Sequence, residues 1–436
     1  VQRRHNTQGR AEMKTHARPI TPVSSLHATI RPPGSKSLTN RALLCAALAY
    51  GESEISNALV SDDSRYMISA LRKLGVDLSV SADGTMIRVR GCSGRFPAKK
   101  ADLFVGNAGT AMRFLTAALT LGTGVYTVDG DERMRQRPIL DLVYGLRALG
   151  GDVLACNEPF PPVLIRADGL PGGSCEIDGT TSSQFISAVL MAAPYARRDT
   201  VVTVKNGLVS APYVGMTRHV MRAFGADVEE TEPHVYHVAA NSRYFGTTFA
   251  VEPDASAASY FFAAAAITGG TIRVTGIGKN SVQGDRAFVR LLEAMGCVVR
   301  EGADWTEVTG KPLHGISADM ADISDTAMTL AVVALFADSP TSIRGIGNVR
   351  VKESDRIAAI ATEARKLGAQ VEEFEDGLRI TPAPLRGAMI ETYNDHRIAM
   401  SFAIAGLRQP GVVISNPECV NKTYPGFFEE LTKLGG

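Results

Sequence analysis

The stretch LRKLGVDL (Leu71–Leu78) recurs along the chain with little change, and its repetition decides the fold. In each copy an amphipathic run ends at a glycine, and apolar or β-branched residues follow. A glycine just past a helix supplies the left-handed residue that closes it, and the residues after it favour a strand. The copies therefore predict six helix-to-strand junctions, spaced 67 to 75 residues apart. The glycines are Gly75 in the quoted stretch, Gly150 in LRALGGDV, Gly225 in MRAFGADV, Gly296 in LEAMGCVV, Gly368 in ARKLGAQV and Gly435 in the closing LTKLGG.

A second series of six segments precedes the first, and each of its members is a polar corner that opens an Ala-rich helix. Each corner lies 39 to 43 residues ahead of its paired glycine. The helices are apolar on nearly every face, so we expect them inside the domains, with the amphipathic helices outside. The segments are KSLTNRALLCAALAYG from Lys36, GTAMRFLTAALTLG from Gly109, TSSQFISAVLMAAP near Ser182, ASAASYFFAAAAITGG near Ser256, SDTAMTLAVVALFADSP near Asp325 and NDHRIAMSFAIAGL near Asp395.

Two series that agree six times predict six copies of one unit, made of a buried helix, strands, an amphipathic helix and further strands. Three units in each half of the chain give two similar α/β domains. A solenoid is the alternative arrangement for repeats, but these units are longer than the roughly 20–50 residues of stacked arrays.

Two proline-containing segments, Pro32-Pro33 and Pro253-Asp254, mark the points where the chain crosses between the halves. The segment Leu26–Arg31 is then expected to pair as a strand with the second half. The expected domains are 34–252, and 25–33 together with 253–436, with hinges at 32–34 and 252–254. Residues 1–24 are expected to form a flexible N-terminal extension, in which Met13 is a candidate natural start.

The composition argues against several classes of function. The chain has 46 basic and 45 acidic residues, and this balance disfavours nonspecific nucleic-acid binding. Its six cysteines include no C-x-x-C pair, so neither a zinc site nor a disulfide framework is indicated. No apolar run reaches transmembrane length, and Val1–Arg18 lacks the apolar core of a secretory signal. We therefore expect a cytoplasmic protein without nucleic-acid or membrane partners.

The first corner, PGSKSLTNRALL (Pro33–Leu44), is similar to part of a nucleotide-binding P-loop but is not one. It lacks the first glycine of G-x-x-x-x-G-K-[ST], and Ser35 stands where the second glycine belongs. Lys36 and Arg41 therefore need another explanation. Basic side chains in the first turn of a helix oppose its dipole, so they are unfavourable unless an anion binds there.

If three helix starts from each half face one cleft, several cations meet in it. Such a cleft would hold phosphates or carboxylates, with Asp325, Glu353 and His396 as its acid and base groups. We expect neither a metal nor a cofactor, because no dinucleotide motif is present and His234 and His237 would point to opposite faces of a strand. The expected cleft cations are Lys36, Arg137, Lys352, Arg356, Arg397 and Lys422, with Arg133, Arg135 and Arg350 in the neighbouring loops.

Nine motifs in order make the chain similar to the 5-enolpyruvylshikimate-3-phosphate (EPSP) synthase family from about Pro22 to the C-terminus. The family fold, a two-domain inside-out α/β barrel of six βαβαββ repeats, three per domain, matches the six copies. The resemblance implies transfer of the enolpyruvyl group of phosphoenolpyruvate to the 5-hydroxyl of shikimate 3-phosphate, through a tetrahedral intermediate. We expect the protein to be a monomer. The motifs are PGSKSLTNRALLCAALA, GNAGTAMRFL, RMRQRP, DGTTSSQF, EPDASAASYFFAAAA, TGIGKNSVQGD, NVRVKESDRI, YNDHRIAMSFA and NKTYPGFFEEL.

The resemblance also implies a role for individual residues. Asp325 would take the 5-hydroxyl proton. Glu353 would protonate C3 of phosphoenolpyruvate, with Lys36 and Lys422 as competitors, and His396 would orient Glu353 or relay protons. Shikimate 3-phosphate would be held by Lys36, Ser37, Arg41, Ser182, Ser183, Gln184, Ser210, Asp325, Asn348 and Lys352. Phosphoenolpyruvate would be held by Lys36, Asn107, Gly109, Arg137, Gln184, Arg356, Arg397 and Lys422.

One position departs from the enteric and plant form of the family, in which Pro follows the Arg of GTAMR. Here Phe114 follows it, and a change there can tilt Gly109, so sensitivity to glyphosate, an inhibitor of the family, is left open. The alternative function is that of the related enolpyruvyl transferase acting on UDP-N-acetylglucosamine. That enzyme carries a Cys in the loop before the Arg-Pro of the second unit, and Asp129–Arg137 contains none.

Overall fold

The structure is a computed structural model that describes residues 17–24 and 26–434. In this part of the chain the strands are β1 (Ala17–Pro19), β2 (His27–Ile30), β3 (Glu52–Ser56), β4 (Asp77–Val80), β5 (Ile87–Arg90), β6 (Lys100–Phe104), β7 (Thr123–Asp129), β8 (Asp152–Asn157), β9 (Phe160–Asp168), β10 (Gly173–Gly179), β11 (Thr200–Leu208), β12 (Glu229–Glu232), β13 (Val235–Val238), β14 (Thr248–Ala250), β15 (Thr271–Thr275), β16 (Val298–Glu301), β17 (Trp305–Thr309), β18 (Ser317–Asp319), β19 (Thr341–Arg344), β20 (Gln370–Phe374), β21 (Gly377–Thr381), β22 (Met389–Ile390) and β23 (Val413–Ser415). The helices are α1 (Lys36–Leu48), α2 (Asp62–Lys73), α3 (Gly109–Leu119), α4 (Leu140–Ala148), α5 (Ser183–Ala192), α6 (Pro212–Ala223), α7 (Ala255–Thr268), α8 (Phe288–Ala294), α9 (Ala327–Ala334), α10 (Arg356–Lys366), α11 (His396–Gly406) and α12 (Phe427–Lys433).

The odd-numbered helices are the Ala-rich segments, and they form the interior. In α7 every residue except the last is buried, because its sequence is apolar or small around the whole circumference. The even-numbered helices keep a polar face toward solvent, as α2 and α6 do. The sheets lie outside the buried helices, so the arrangement expected from the two repeat series is confirmed.

The sheets repeat one topology. In each four-stranded sheet two neighbouring strands pair in parallel, and the other two strands join in antiparallel pairs. A buried helix joins the two parallel strands directly in three of these sheets, those with β6-β7, β10-β11 and β18-β19. The strand orders are β14-β3-β5-β4, β6-β7-β9-β8, β10-β11-β13-β12, β2-β15-β17-β16 and β18-β19-β21-β20, and the last unit has β1-β23-β22. The chain is therefore built from six repeats of one α/β unit.

The first strands of two units are exchanged between the halves. Strand β2 pairs in parallel with β15, with Ile30 opposite Val274, while β14 pairs in parallel with β3. The pairing expected for Leu26–Arg31 is thus confirmed. At the exchange the two crossing segments lie side by side, because Ser35 N–H donates to Glu252 O (2.8 Å) and Asp254 N–H donates to Pro33 O (2.8 Å).

Two separate hydrophobic cores accompany the exchange. The first draws its buried residues from positions 38–251, and the second from 20–30 and 255–431. We propose on this basis that the domains are 34–252 and 25–33 with 253–436, and that the paired crossings at 32–34 and 252–254 act as the hinge.

The expectation of a flexible extension over residues 1–24 is wrong for its last part. Ala17–Pro19 forms β1, which pairs antiparallel with β23, and Ile20 is buried in the second core. The sixth unit ends with α12 and has no strands of its own after that helix in the described residues, so β1 takes a place beside its sheet. Residues 1–16 lie outside the described residues.

The capping glycines have the conformation that their sequence context predicts. Gly75, Gly150, Gly225, Gly296 and Gly368 have φ between 87° and 113°, in the left-handed region. Gly435 lies outside the described residues.

Replacing one of these glycines should destabilise the fold. Gly150→Ala is expected to lower the free energy of unfolding by at least about 1–2 kcal/mol, the cost of a left-handed non-Gly residue. A Cβ there would also lie 2.7 Å from Cγ of Pro171. Chemical denaturation measures the change.

Gly215→Ala is the matched control. Gly215 lies inside α6, and its added Cβ would meet nothing within 4 Å. Because Ala favours a helix interior, this variant should be neutral or more stable by up to about 1 kcal/mol. Equal destabilisation of both variants would contradict the capping role of Gly150.

Candidate active site

The polar corners of the two halves face one another across a cleft. At these corners, the residues that cap the helices are different from the residues whose side chains point into the cleft. The side chains of Ser35, Ser182 and Asp395 accept hydrogen bonds from the first backbone N–H groups of α1, α5 and α11. The next residues along the chain, Lys36 and His396 among them, are therefore not needed as caps. Asp325 lies in the 3-10 turn Ala321–Thr326 that leads into α9.

Arg356, the first residue of α10, lies at the centre of the cluster and is almost fully buried. Its Nε donates to Asp395 Oδ2 (2.8 Å), its Nη2 to Glu353 Oε2 (2.8 Å) and its Nη1 to Asp325 Oδ1 (3.3 Å). Burial would lower the pKa of Arg356, but these three carboxylates raise it. One guanidinium therefore fixes the positions of three acids.

Asp325 accepts hydrogen bonds from several cations. Lys352 Nζ lies 2.6 Å from Oδ1, and Arg397 Nη2 lies 2.8 Å from Oδ2. Burial would raise the pKa of Asp325, but Arg397, Lys352 and Arg356 together hold it well below its ordinary value. Asp325 is therefore an ionised carboxylate in a cationic setting.

Glu353 is the second acid of the cluster, and its side chain is 7% exposed. Besides Arg356, it lies near Arg137 Nη1 (3.9 Å) and Lys422 Nζ (4.0 Å). Burial would raise the pKa of Glu353, but Arg356, Arg137 and Lys422 hold it well below its ordinary value. Both acids are therefore ionised when surrounded by protein groups alone.

Asp63 joins cations from opposite halves. Its Oδ1 accepts from Lys422 Nζ (2.7 Å), and its Oδ2 pairs with Lys36 Nζ (3.3 Å). Lys422 also donates to the backbone carbonyl of Asn107 (2.7 Å). These bonds hold the two halves together across the cleft.

Two arginines pack against the start of α3. Arg137 Nη1 donates to Asn107 Oδ1 (2.8 Å), and a Cβ on Gly109 would lie 2.7 Å from Arg137 Nη2, so a larger residue at position 109 would displace that guanidinium. Arg113 is buried beside it, and among the described residues no carboxylate lies within ion-pair distance of Arg113. Burial and the charge of Arg137 lower the pKa of Arg113 well below its ordinary value. This pair of cations leaves a positive charge for an anion to balance.

His396, at the first position of α11, is fully buried. Neither ring nitrogen has a hydrogen-bond partner among the described residues, and Nδ1 lies 3.6 Å from Asp395 Oδ1. Burial lowers the pKa of His396 well below its ordinary value, although Glu353 opposes this effect. The imidazole is therefore neutral, and its nitrogens can form hydrogen bonds with a ligand or with Glu353 after a change in the Glu353 side-chain conformation.

Several polar groups meet at Ser324, the residue before Asp325. Ser324 Oγ lies 3.4 Å from both Ser210 Oγ and Asn348 Nδ2, and 3.5 Å from Lys352 Nζ. Ser210 has a positive φ of 54°, and its N–H donates to Ala321 O across the cleft (2.9 Å). Asn348 Oδ1 is buried without a partner in the described part of the chain. Ser182, Ser183 and Gln184 open α5, as the sequence indicates.

Arg41 lies deeper than the other predicted cations and is fully buried. Its guanidinium donates to Thr217 Oγ1 (2.7 Å) and to the carbonyl of Ser37 (3.0 Å). Burial lowers its pKa to about 10. The ring of Phe114 lies beneath it, with 5.1 Å between the guanidinium carbon and the ring centroid. Phe114 is thus a buried partner of Arg41 inside an unbroken α3.

Three basic residues of the neighbouring loops make other contacts. Arg135 pairs with Asp129 at the surface, and Arg350 pairs with Asp355 (2.9 Å). Arg133 donates to the carbonyl of Lys352 (2.9 Å) and so joins the halves through the backbone.

The sequence did not single out Asp63 or Tyr213, which both belong to the cluster. Tyr213 Oη lies 3.4 Å from Asp325 Oδ2. Asp63 lies in the acidic first turn of α2, where it has the usual position of a group that complements a helix dipole. Tyr213 follows the Pro that begins α6, in an ordinary amphipathic pattern. A search of the sequence for acidic residues that could pair with the cations of other corners could have found Asp63. No local sequence signal indicates Tyr213.

Over the described ranges 17–24 and 26–434, no group of three or more His, Cys, Asp or Glu side chains is arranged to hold a metal ion. Over the same residues, no helix has the length and apolar character needed to cross a bilayer.

Comparison with known proteins identifies one family. The family described as EPSP synthase (3-phosphoshikimate 1-carboxyvinyltransferase) matches residues 20–431. A 3-phosphoshikimate 1-carboxyvinyltransferase of Sulfurovum sp. (strain NBC37-1) is 50% identical over 419 residues, covering 95% of this chain and 98% of that protein. One of Trichormus variabilis is 49% identical over 411 residues, covering 94% and 96%. The solved EPSP synthase of Acinetobacter baumannii superposes with a TM-score of 0.80 at 28% identity, covering 96% of this chain and 98% of that one.

These matches do not favour the alternative transferase acting on UDP-N-acetylglucosamine, because the matched family and both curated relatives carry the other name.

Asp63 provides a test of how the cleft is held closed. Asp63→Asn removes the negative charge between Lys36 and Lys422, so like charges of the two halves repel each other. We expect a larger radius of gyration for the empty variant than for the unaltered protein, measured by small-angle X-ray scattering at low salt.

Asp62→Asn is the matched control, because Asp62 precedes Asp63 on α2 but is half exposed and pairs only with Arg65 among the described residues. Its radius should equal that of the unaltered protein. An unchanged radius for Asp63→Asn as well would contradict a bridging role for Asp63.

Proposed function

The chain belongs to the EPSP synthase family, and we propose that the cluster around Arg356 is its active site. The protein transfers the enolpyruvyl (1-carboxyvinyl) group of phosphoenolpyruvate to the 5-hydroxyl of shikimate 3-phosphate and releases phosphate. This is a step of the shikimate pathway to chorismate and the aromatic amino acids. The observation that carries the assignment of the site is Asp325, an ionised carboxylate fixed by Lys352, Arg356 and Arg397.

We assign shikimate 3-phosphate to the side of the cluster that holds Asp325. Ser210, Asn348 and Lys352 surround Ser324 there and offer hydroxyl, amide and ammonium groups to a polyhydroxylated ring. The corner of α5 supplies further hydroxyl groups, and Lys36 supplies a cation. The full set is Lys36, Ser37, Arg41, Ser182, Ser183, Gln184, Ser210, Asp325, Asn348 and Lys352.

We assign phosphoenolpyruvate to the side that holds Glu353. Its phosphate and carboxylate match the cations there, and Arg113 and Arg137 in particular have more positive charge than the protein groups around them balance. Gly109 contributes by letting Arg137 approach α3 closely. The full set is Lys36, Asn107, Gly109, Arg137, Gln184, Arg356, Arg397 and Lys422.

In the first step Asp325 accepts the proton of the 5-hydroxyl while that oxygen forms a bond to C2 of phosphoenolpyruvate and C3 gains a proton. Asp325 is suited to act as a base because its cationic neighbours keep it ionised and fix its position. The product is a tetrahedral intermediate. Loss of a proton from C3 and of phosphate from C2 then restores the double bond.

We propose Glu353 as the group that protonates C3, with Lys36 and Lys422 as alternatives. Glu353 must gain a proton before it can donate one. Binding of a phosphate and a carboxylate beside it would supply negative charge that raises its pKa and makes protonation easier. His396, neutral and without hydrogen-bond partners in the described structure, then orients Glu353 or passes it a proton.

We further propose that the protein acts as a monomer that closes on its two small-molecule substrates. The anions of the substrates bridge cations of the two halves, as Asp63 does through Lys36 and Lys422.

Loss of the proposed base should remove turnover but not the fold. Asp325→Asn is expected to lower kcat by at least about 100-fold, the scale of one general base. The measurement is the rate of phosphate release from phosphoenolpyruvate with shikimate 3-phosphate as acceptor, and UDP-N-acetylglucosamine as acceptor should give no release.

Asp322→Asn serves as the control, because Asp322 belongs to the same 3-10 turn but is exposed. It should retain the unaltered kcat. Turnover by Asp325→Asn close to that of Asp322→Asn would remove Asp325 from the mechanism.

A further inference from the structure

A further buried carboxylate, Asp285, is linked to Asp325 through Tyr213. Tyr213 Oη is 3.4 Å from Asp325 Oδ2 and 3.1 Å from Asp285 Oδ2, so one phenol connects the two acids. Asp285 belongs to the 3-10 turn Gly284–Ala287, is 3% exposed and also accepts a hydrogen bond from Ser256 Oγ. Its other oxygen, Oδ1, is buried without a partner among the described residues. A buried carboxylate with an unused oxygen has a capacity for one more proton or hydrogen bond.

The phenol of Tyr213 has one proton to share between two carboxylates. Burial, Asp285 and Asp325 raise the pKa of Tyr213 well above its ordinary value, so it stays protonated. Tyr213 can therefore pass a proton only by giving up its own to one acid while it receives another from the second acid.

The two carboxyl groups differ strongly in acidity. Burial and the charge of Asp325 raise the pKa of Asp285 to about 6, while its other charged neighbours, Arg397 and Asp254, have opposite and smaller effects. The pKa of Asp325 is held well below its ordinary value. A proton that arrives on Asp325 is therefore more stable on Asp285.

Asp285 also borders a small internal space. It lines a polar cavity of about 10 Å³ at the crossing between the halves, enough for one water molecule. Ser35 and Asp254 of the two crossing segments line this cavity together with Tyr213, Ser256 and Asp285.

We propose that Asp285 is a positioning residue that receives, through Tyr213, the proton that Asp325 takes from the substrate hydroxyl. In this step the O–H bond of Asp325 breaks as a new one forms on Tyr213 Oη, and the original phenol O–H breaks as one forms on Asp285. Asp325 becomes ionised again, and Asp285 later releases the proton to water. The inference rests on the proposed function, because it needs Asp325 as the base.

The test is the pH profile of kcat for Asp285→Asn, which keeps the shape of the side chain but cannot accept a proton. At pH 7.5 we expect kcat to fall about 10-fold, less than for a direct general base, with KM for both substrates unchanged. In the unaltered enzyme Asp285 must be ionised to accept, so kcat should fall as the pH drops through about 6. In the variant that acidic limb should be absent.

Ser256→Ala is a milder companion variant. Its hydroxyl lowers the pKa of Asp285, so its removal should shift the acidic limb of kcat to higher pH without abolishing it. A purely structural role of Asp285 would not move this limb. Tyr213→Phe should lower kcat as Asp285→Asn does, and the double variant should be no slower than Tyr213→Phe alone, because both changes break one route.

Stability provides the control for folding. Because the pKa of Asp285 is raised to about 6 by folding, its contribution to stability is lost as the pH rises from about 4 to about 6, and the loss is complete at pH 8. Asp285→Asn should therefore melt no lower than the unaltered protein at pH 8. Unaltered kcat and pH profile in Asp285→Asn, with Asp325→Asn inactive, would overturn the relay alone. Full activity of Asp325→Asn would instead overturn the proposed function beneath it.

Discussion

The guanidinium of Arg356 makes hydrogen bonds to Asp325, Glu353 and Asp395, and the rest of the site depends on this arrangement. Asp395 caps α11, Arg356 begins α10 and Asp325 precedes α9, so one side chain ties together the starts of neighbouring helices. Burying a cation and three acids is costly unless each charge is paired. Here nearly every one of these charges is paired. Asp325 and Glu353, the two acids nearest the cleft, are therefore held ionised and in fixed positions.

The two halves meet through ion pairs and hydrogen bonds and not through a shared hydrophobic core. Each half has its own core, and the exchanged strands β2 and β14 link them at the crossing. Across the cleft Asp63 pairs with both Lys36 and Lys422 and so bridges the two halves. A net charge of +1 is compatible with binding small molecules that each carry a carboxylate and a phosphate, because the positive charge is concentrated locally.

Much of the fold could be predicted from the sequence, because the same local sequence signals recur in every repeat. The capping glycines and Ala-rich helices gave the six units, and prolines marked the strand exchange. The cations were found because Lys36 and Arg397 oppose the dipoles of their own helices. The choice of partners could not be found in this way. Asp63, Tyr213 and Asp285 occupy ordinary helix-start or turn positions, and their role depends on which corners meet in space. The pairing of β1 with β23 was missed for the same reason, since its partner lies almost 400 residues away.

The central claim is that the Arg356 cluster holds Asp325 as the base for the hydroxyl of shikimate 3-phosphate. A crystal structure of the protein with shikimate 3-phosphate tests it most directly. The account predicts the 5-hydroxyl within about 2.6–3.2 Å of an Asp325 oxygen, with the ring among Ser210, Asn348 and Lys352. A ring bound with its 5-hydroxyl out of reach of Asp325, or bound outside this cluster, would contradict the account.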